Sequence, residues 1–218
     1  MIRNSLLGGL CVALLAACST APLHTSTPPA PAPKTAADAI LQEAWVSEPV
    51  PGDELDSLVA WPTEDGRVWL IATAKATHHL ALYDADTGQR LRTVGGPGTA
   101  VGQFNRPNGI AVFGDLLFVA ERDNHRVQAF RLPEFAPLGA FGADVLRSPY
   151  GLWVHEPAPG VLELFVTDSF MADFANRVLP APQRLAERVK RYRVAERDGK
   201  LEVRYLGAFG DTGEDGAL

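Results

Sequence analysis

Lys75 and Arg122 occupy the same place in two successive cycles of this sequence, after the runs that begin IAT and VAE, where a strand leaves its sheet. Cations in such places can clamp an anion, arginine with two parallel hydrogen bonds and lysine as a point charge. They serve equally well as solvated charges or as partners of a nearby acid such as Glu121. Arg106, in the turn before an apolar run, has the same two readings. Asp53, Glu54 and Asp56 crowd one acidic turn, whose simplest use is to cap a strand. His78 and His79 read as exposed turn residues, because no Cys, His or Glu at metal spacing accompanies them.

The elements that must carry these residues repeat. Residues 95–142 contain short β-type runs at GIAVF, LLFVAE and RVQAFRL, separated by turn residues. The same grammar appears earlier as DSLVAWP, RVWLIATAK, HLALYDADTG and RLRTVGG, and later as SPYGLWVH, LELFVTDSF, RVKRYRV and LEVRYLGAFG. Asp86-Thr87-Gly88 suits a tight hairpin. Cycles of short strands, each closing on a TVGG or AFG turn, predict an all-β chain: a β-propeller with about three four-stranded blades present and about six when complete. The chain stops at GDTGEDGAL, which reads as the opening of a further blade. A segment at 171–187 interrupts the third cycle, and Pro180 and Pro182 exclude a long helix there.

Two family resemblances attach to these cycles. GQFNRPNGIAV followed by LLFVAERDNHRVQAF is similar to an NHL repeat, in its Gly-x-Phe, Pro-x-Gly-Ile, Val-Ala and Asn-His-Arg-Val positions. That resemblance implies a structural role for Asp123, Asn124, His125 and Arg126, knitting a turn between strands. The second resemblance runs from about Asp53 to the end and is to the β-propeller phytases, calcium-dependent enzymes that remove phosphate from inositol phosphates. It is carried by Asp56 to Trp61, Thr73-Ala74-Lys75 with Leu82-Tyr83-Asp84, Arg106 to Ile110, Glu121-Arg122, and Pro149 to Trp153 leading to Phe165-Val166-Thr167.

The phytase resemblance implies Lys75, Arg122 and Tyr150 as catalytic groups, Arg106 and Asn108 as substrate-binding groups, and Asp53 and Asp56 as calcium donors. Calcium takes six to eight oxygen ligands, so carboxylates would have to converge from several blades. The chain departs from the pattern after Thr167, where Asp168-Ser169-Phe170 stands in place of an expected lysine.

The N-terminus predicts export. Arg3 precedes an uncharged run from Leu6 to Ala17, too short for a permanent span of about 20 residues but suited to a secretory signal. The run ends in Leu15-Ala16-Ala17-Cys18, which resembles the bacterial lipobox, whose cysteine receives a diacylglyceryl group. Cys11 lies inside the signal and would be removed with it. Ser19, rather than Asp, favours the outer membrane by resemblance to Gram-negative sorting signals. The expected organisation is a signal at 1–17, a Pro/Thr/Ala-rich tether at 18–42 that cannot bury enough surface to fold, and a propeller at 43–218.

Formal net charge is -6 and the basic residues are scattered, which excludes a nucleic-acid footprint. Membrane contact is expected through the lipid anchor alone. Two functions of different class follow: a phytase-like, calcium-dependent phosphomonoester hydrolase of the cell envelope, or a non-catalytic NHL-type propeller that presents one face to a protein, peptide or glycan.

Overall fold

Along the run Leu116–Glu121 successive side chains face opposite ways, and both ways are apolar. Leu117 and Val119 enter one buried cluster, Phe118 and Ala120 another. A strand with this pattern must lie in a sheet covered on both faces. The computed structural model describes residues 42–213 and shows such a stack. The expected signal and Cys18 lie outside the described residues.

The first sheet holds β1 (Leu55–Pro62), β2 (Val68–Ala74), β3 (His79–Asp84) and β4 (Arg90–Val94). The second holds β5 (Pro107–Phe113), β6 (Leu116–Glu121), β7 (Arg126–Arg131) and β8 (Ala136–Phe141). The third holds β9 (Pro149–Ala158), β10 (Val161–Asp168), β11 (Val189–Arg197) and β12 (Lys200–Phe209). Each is a four-stranded antiparallel meander in chain order. The first strands β1, β5 and β9 pack against one another in succession and form the inner edge. Sheets of this kind, stacked face to face about their first strands, are blades of a β-propeller. The described helix is one turn, α1 (Pro182–Leu185), which begins on a proline at its first position, where the missing N–H costs nothing.

The cores lie between blades. Ile71, Leu80 and Leu82 of the first blade meet Leu117, Val119 and Phe130 of the second, all at most 1% exposed. On the other side Phe118, Val127 and Ala129 meet Leu164, Val166 and Tyr192 of the third, all at most 2% exposed. Each large aliphatic buried in this way contributes roughly 1.5–3 kcal/mol.

The hairpin expected at Asp86-Thr87-Gly88 joins β3 to β4. The Asp84 carboxylate accepts from the backbone N–H groups of Asp86 (3.1 Å) and Thr87 (3.0 Å), and Gly88 takes φ +71°. This local bonding of an aspartate to the chain just after it is what ends the strand.

The inner strands are irregular at the same place. Pairing slips between Leu55 and Leu58 in β1 and between Pro107 and Ile110 in β5. In the first and third blades a threonine of the second strand fills the gap: Thr73 Oγ1 accepts from Ser57 N–H at 3.0 Å, and Thr167 Oγ1 from Gly151 N–H at 2.7 Å. Bulges of this sort turn side chains away from the regular pleat. Here they act on the first residues of each inner strand, where the candidate residues sit.

Candidate functional site

The ladder fixes equivalent positions. Leu55 pairs with Ala74, Pro107 with Glu121 and Pro149 with Asp168. One step further, Lys75 N–H donates to the Glu54 carbonyl (3.3 Å), Arg122 N–H to that of Arg106 (3.1 Å) and Ser169 N–H to that of Ser148 (2.9 Å). Lys75, Arg122 and Ser169 therefore hold one position in three blades, and Asp56, Asn108 and Tyr150 another. Both sets lie at the same end of the sheets.

Their side chains are used differently from blade to blade. Lys75 Nζ faces Asp56 Oδ1 of its own blade at 3.9 Å. Asp53 is 2% exposed and is bonded by Thr77 Oγ1 and by Arg90 Nη1, each at 2.8 Å, with His79 Nε2 at 3.5 Å. Burial alone would push the Asp53 carboxyl up, but the bonds from Thr77 and Arg90 outweigh it and hold the group below its ordinary value. Among the described residues no three His, Cys, Asp or Glu side chains gather as a metal would require. With one Asp53 oxygen bonded to Thr77, the other to Arg90, and Asp56 facing a lysine, these side chains as they stand do not fit a calcium site.

His78 and His79 are half-buried rather than exposed. His78 Nδ1 accepts the backbone N–H of Arg106 at 2.9 Å, across the junction of the first two blades. The equivalent His125 reaches the third blade, with Nδ1 at 2.5 Å from the Arg147 carbonyl. An N–H can only donate and a carbonyl only accept, so Nδ1 is bare in His78 and carries a proton in His125. Both turn histidines take positive φ, +60° and +55°. Among the described residues the Arg106 guanidinium has no hydrogen-bonded partner.

The Asn124 and Arg126 side chains knit the turn as expected. Buried Glu121 accepts from Arg126 Nε (2.5 Å), Asn124 Nδ2 (2.6 Å), Gln128 Nε2 (2.8 Å) and the backbone N–H of Asn105 (3.0 Å). Arg126 also donates to the carbonyls of Thr99, Ala100 and Gln103, pinning the loop that leads into β5. Asp168 stands in the place of Glu121 one blade on. It accepts from the N–H groups of Ser148 (2.6 Å) and Arg147 (3.2 Å), with Lys190 Nζ at 3.7 Å. Burial raises its carboxyl, and the Ser148 bond and the Lys190 charge only partly offset that. Lys190 is thus the cation of the third blade at this end, supplied from β11 rather than β10.

Residues 169–188, which link β10 to β11, replace the four-residue turns 75–78 and 122–125 of the other blades. They build one wall of a cavity of about 430 Å³ beside the second blade, lined by Arg122, Asp123, His125, Arg147, Phe170 and Phe174 among others. Phe170 is buried, and its ring centre lies 4.7 Å from the Arg147 guanidinium, 5.1 Å from Arg188, 5.6 Å from Lys190 Nζ and 5.8 Å from Arg184. Arg122 binds Asp123 through two nitrogens, at 2.6 and 3.2 Å, and lies over the exposed Phe174 ring at 5.4 Å. Arg147, Phe170, Phe174 and Arg188 escaped sequence reasoning; the arginines and phenylalanines clustered at 170–188 were the signal available.

Of the expected set, Lys75 and Asp56 are brought together, and Arg122 lines the cavity. Tyr150 is 43% exposed and does not line it. Asn108 is 1% exposed, and neither polar atom of its side chain has a hydrogen-bonded partner.

The NHL repeat family matches residues 104–130, from Phe104 through β5 and β6 into β7. A curated relative from Gallus gallus, NHL repeat-containing protein 2, is 30% identical over a match covering 28% of this chain and 10% of its own length. The chain thus spans about a tenth of that relative. Among solved structures, the Kuenenia stuttgartiensis hydrazine synthase aligns with a TM-score of 0.40 and 14% identity, over 78% of this chain and 53% of that one.

Proposed function

We propose that this chain is a binding module: an NHL-type β-propeller, exported and tethered through a lipidated Cys18 at the outer membrane, that presents the end carrying Lys75, Arg122 and the 169–188 segment to a ligand. The observation that carries this reading over a calcium phosphohydrolase is the state of the acidic residues. A hydrolase of that kind spreads the charge of its transition state over metal ions. Asp53 instead holds Arg90 at 2.8 Å, and Asp56 faces Lys75 at 3.9 Å, so each carboxylate already has its cation. What stays available at this end is cationic and concave, and it suits recognition.

The discriminating experiment is phosphate release from inositol hexakisphosphate by the intact chain, with calcium and with chelator. No release in either condition is expected while circular dichroism shows the strand fold intact. Release that calcium supports and chelator abolishes would overturn the binding-module reading in favour of a phytase-like enzyme.

A further inference from the structure

We infer that the cavity between the second and third blades takes a small organic anion, its charged group held by Arg122 and Arg147 and its apolar part laid against Phe170 and Phe174. The inference rests on the binding-module reading and names the chemistry of its ligand.

Size comes first. A cavity of about 430 Å³ is that of a small-molecule site, too small for a folded partner. Charge follows. Five cations surround the two phenylalanines, namely Arg122, Arg147, Arg184, Arg188 and Lys190, against three carboxylates, Asp123, Asp168 and Glu187. Two positive charges are left unbalanced.

The donors are also free to act. Arg147 has five N–H bonds to give, and among the described residues the one hydrogen bond its guanidinium makes is a long one to Glu187, 3.4 Å. The Phe170 ring centre lies 4.7 Å from that guanidinium, whose planar fork suits a bidentate grip on an oxyanion. Asp123 binds Arg122 through Nε and one Nη, leaving the other Nη without a hydrogen-bonded partner among the described residues. Apolar wall completes the site: Phe174, 57% exposed at the rim, faces solvent at a cost that an apolar ligand group would remove.

Carboxylates and phosphate monoesters share this chemistry, and the experiment separates them. The intact chain is titrated by calorimetry with benzoate, phenyl phosphate, inorganic phosphate and the uncharged benzamide. Saturable binding of one or both aromatic anions is expected, the tighter identifying the headgroup, with benzamide and inorganic phosphate each about tenfold weaker or worse. Arg147→Gln should weaken the anion about tenfold, the scale of one charge-assisted hydrogen bond, and Phe174→Ala should weaken it severalfold. Arg122→Gln gives an independent check if Arg147→Gln misfolds. Benzamide binding as tightly as benzoate, or both arginine variants binding as the parent does, would overturn the assignment. So would failure of every anion to bind, a result that leaves the binding-module reading intact because that reading falls only with calcium-dependent phosphate release.

Discussion

His125 reaches out of the second blade to the backbone of the third: its Nδ1 lies 2.5 Å from the carbonyl oxygen of Arg147. One junction earlier, His78 does the mirror task and accepts the N–H of Arg106 at 2.9 Å. A turn histidine thus fastens each blade to the loop that opens the next, which is a structural use for residues that look chemical in the sequence. His78→Ala and His125→Ala should each lower stability by about 0.5–1.5 kcal/mol, the net worth of one hydrogen bond. The clasps belong to different junctions and share no partner, so the double variant should show the sum. Equilibrium urea unfolding measures all three, and single variants as stable as the parent would show the clasps to be idle.

Asp53 gives a prediction with a pH sign. Its carboxyl is held below the ordinary value of 3.8, so the native state favours the charged form more than the unfolded chain does. That contribution is fully present above the unfolded value and is lost as pH falls through the folded one. Asp53→Asn should therefore cost stability at pH 7, about 1.5–3 kcal/mol for a bond to a charged partner, and progressively less in acid. Denaturant midpoints of parent and variant should converge below pH 3.8. A gap that stays constant across that range would mean that shape, rather than charge, explains the loss.

The Asp53–Arg90 pair marks where sequence reading stops. The blades were legible because burial on two faces leaves its mark in a short stretch: LLFVAE sends Leu117 and Val119 one way and Phe118 and Ala120 the other. The Asp86-Thr87-Gly88 turn was legible for the same local reason. So was the equivalence of Lys75 and Arg122, since each follows the second strand of its cycle. The partner of Asp53 was not, because Arg90 lies 37 residues on and is brought there by β4 closing the blade. Nor was the cavity, whose wall is a single insertion with no counterpart in the other cycles. A repeat reveals its regular parts, and the candidate site is built where the repeat is broken.

Glu121 and Asp123 are two residues apart and should behave very differently. Glu121 is buried and receives four hydrogen bonds, one from Arg126 and one from the backbone of Asn105. Glu121→Ala leaves the Arg126 charge without its carboxylate and should cost about 3–5 kcal/mol. Asp123 is exposed and among the described residues its side chain holds only its neighbour Arg122, so Asp123→Ala should stay within about 0.5 kcal/mol. Thermal unfolding of the two variants side by side checks the contrast, and equal losses would contradict the turn-knitting role.

Gly109 lies where the inner strands β5 and β9 pack together. A Cβ placed there would sit 2.2 Å from the carbonyl oxygen of Tyr150 and 2.9 Å from the Cα of Gly151, both backbone atoms of β9. A side chain could yield to such a contact, but a strand held in its own ladder cannot do so without moving the blade. Gly109→Ala should therefore destabilise the propeller by about 1–3 kcal/mol through overpacking, and Gly109→Val by more. Gly96 supplies the comparison, because a Cβ there meets nothing within 4 Å and its backbone is not in the left-handed region. Gly96→Ala should be neutral or slightly stabilising through the stiffer unfolded chain. If Gly109→Ala unfolds at the same urea concentration as the parent, β5 and β9 are not in contact along the axis, and the inner edge on which Asp56, Asn108 and Tyr150 were aligned loses its footing.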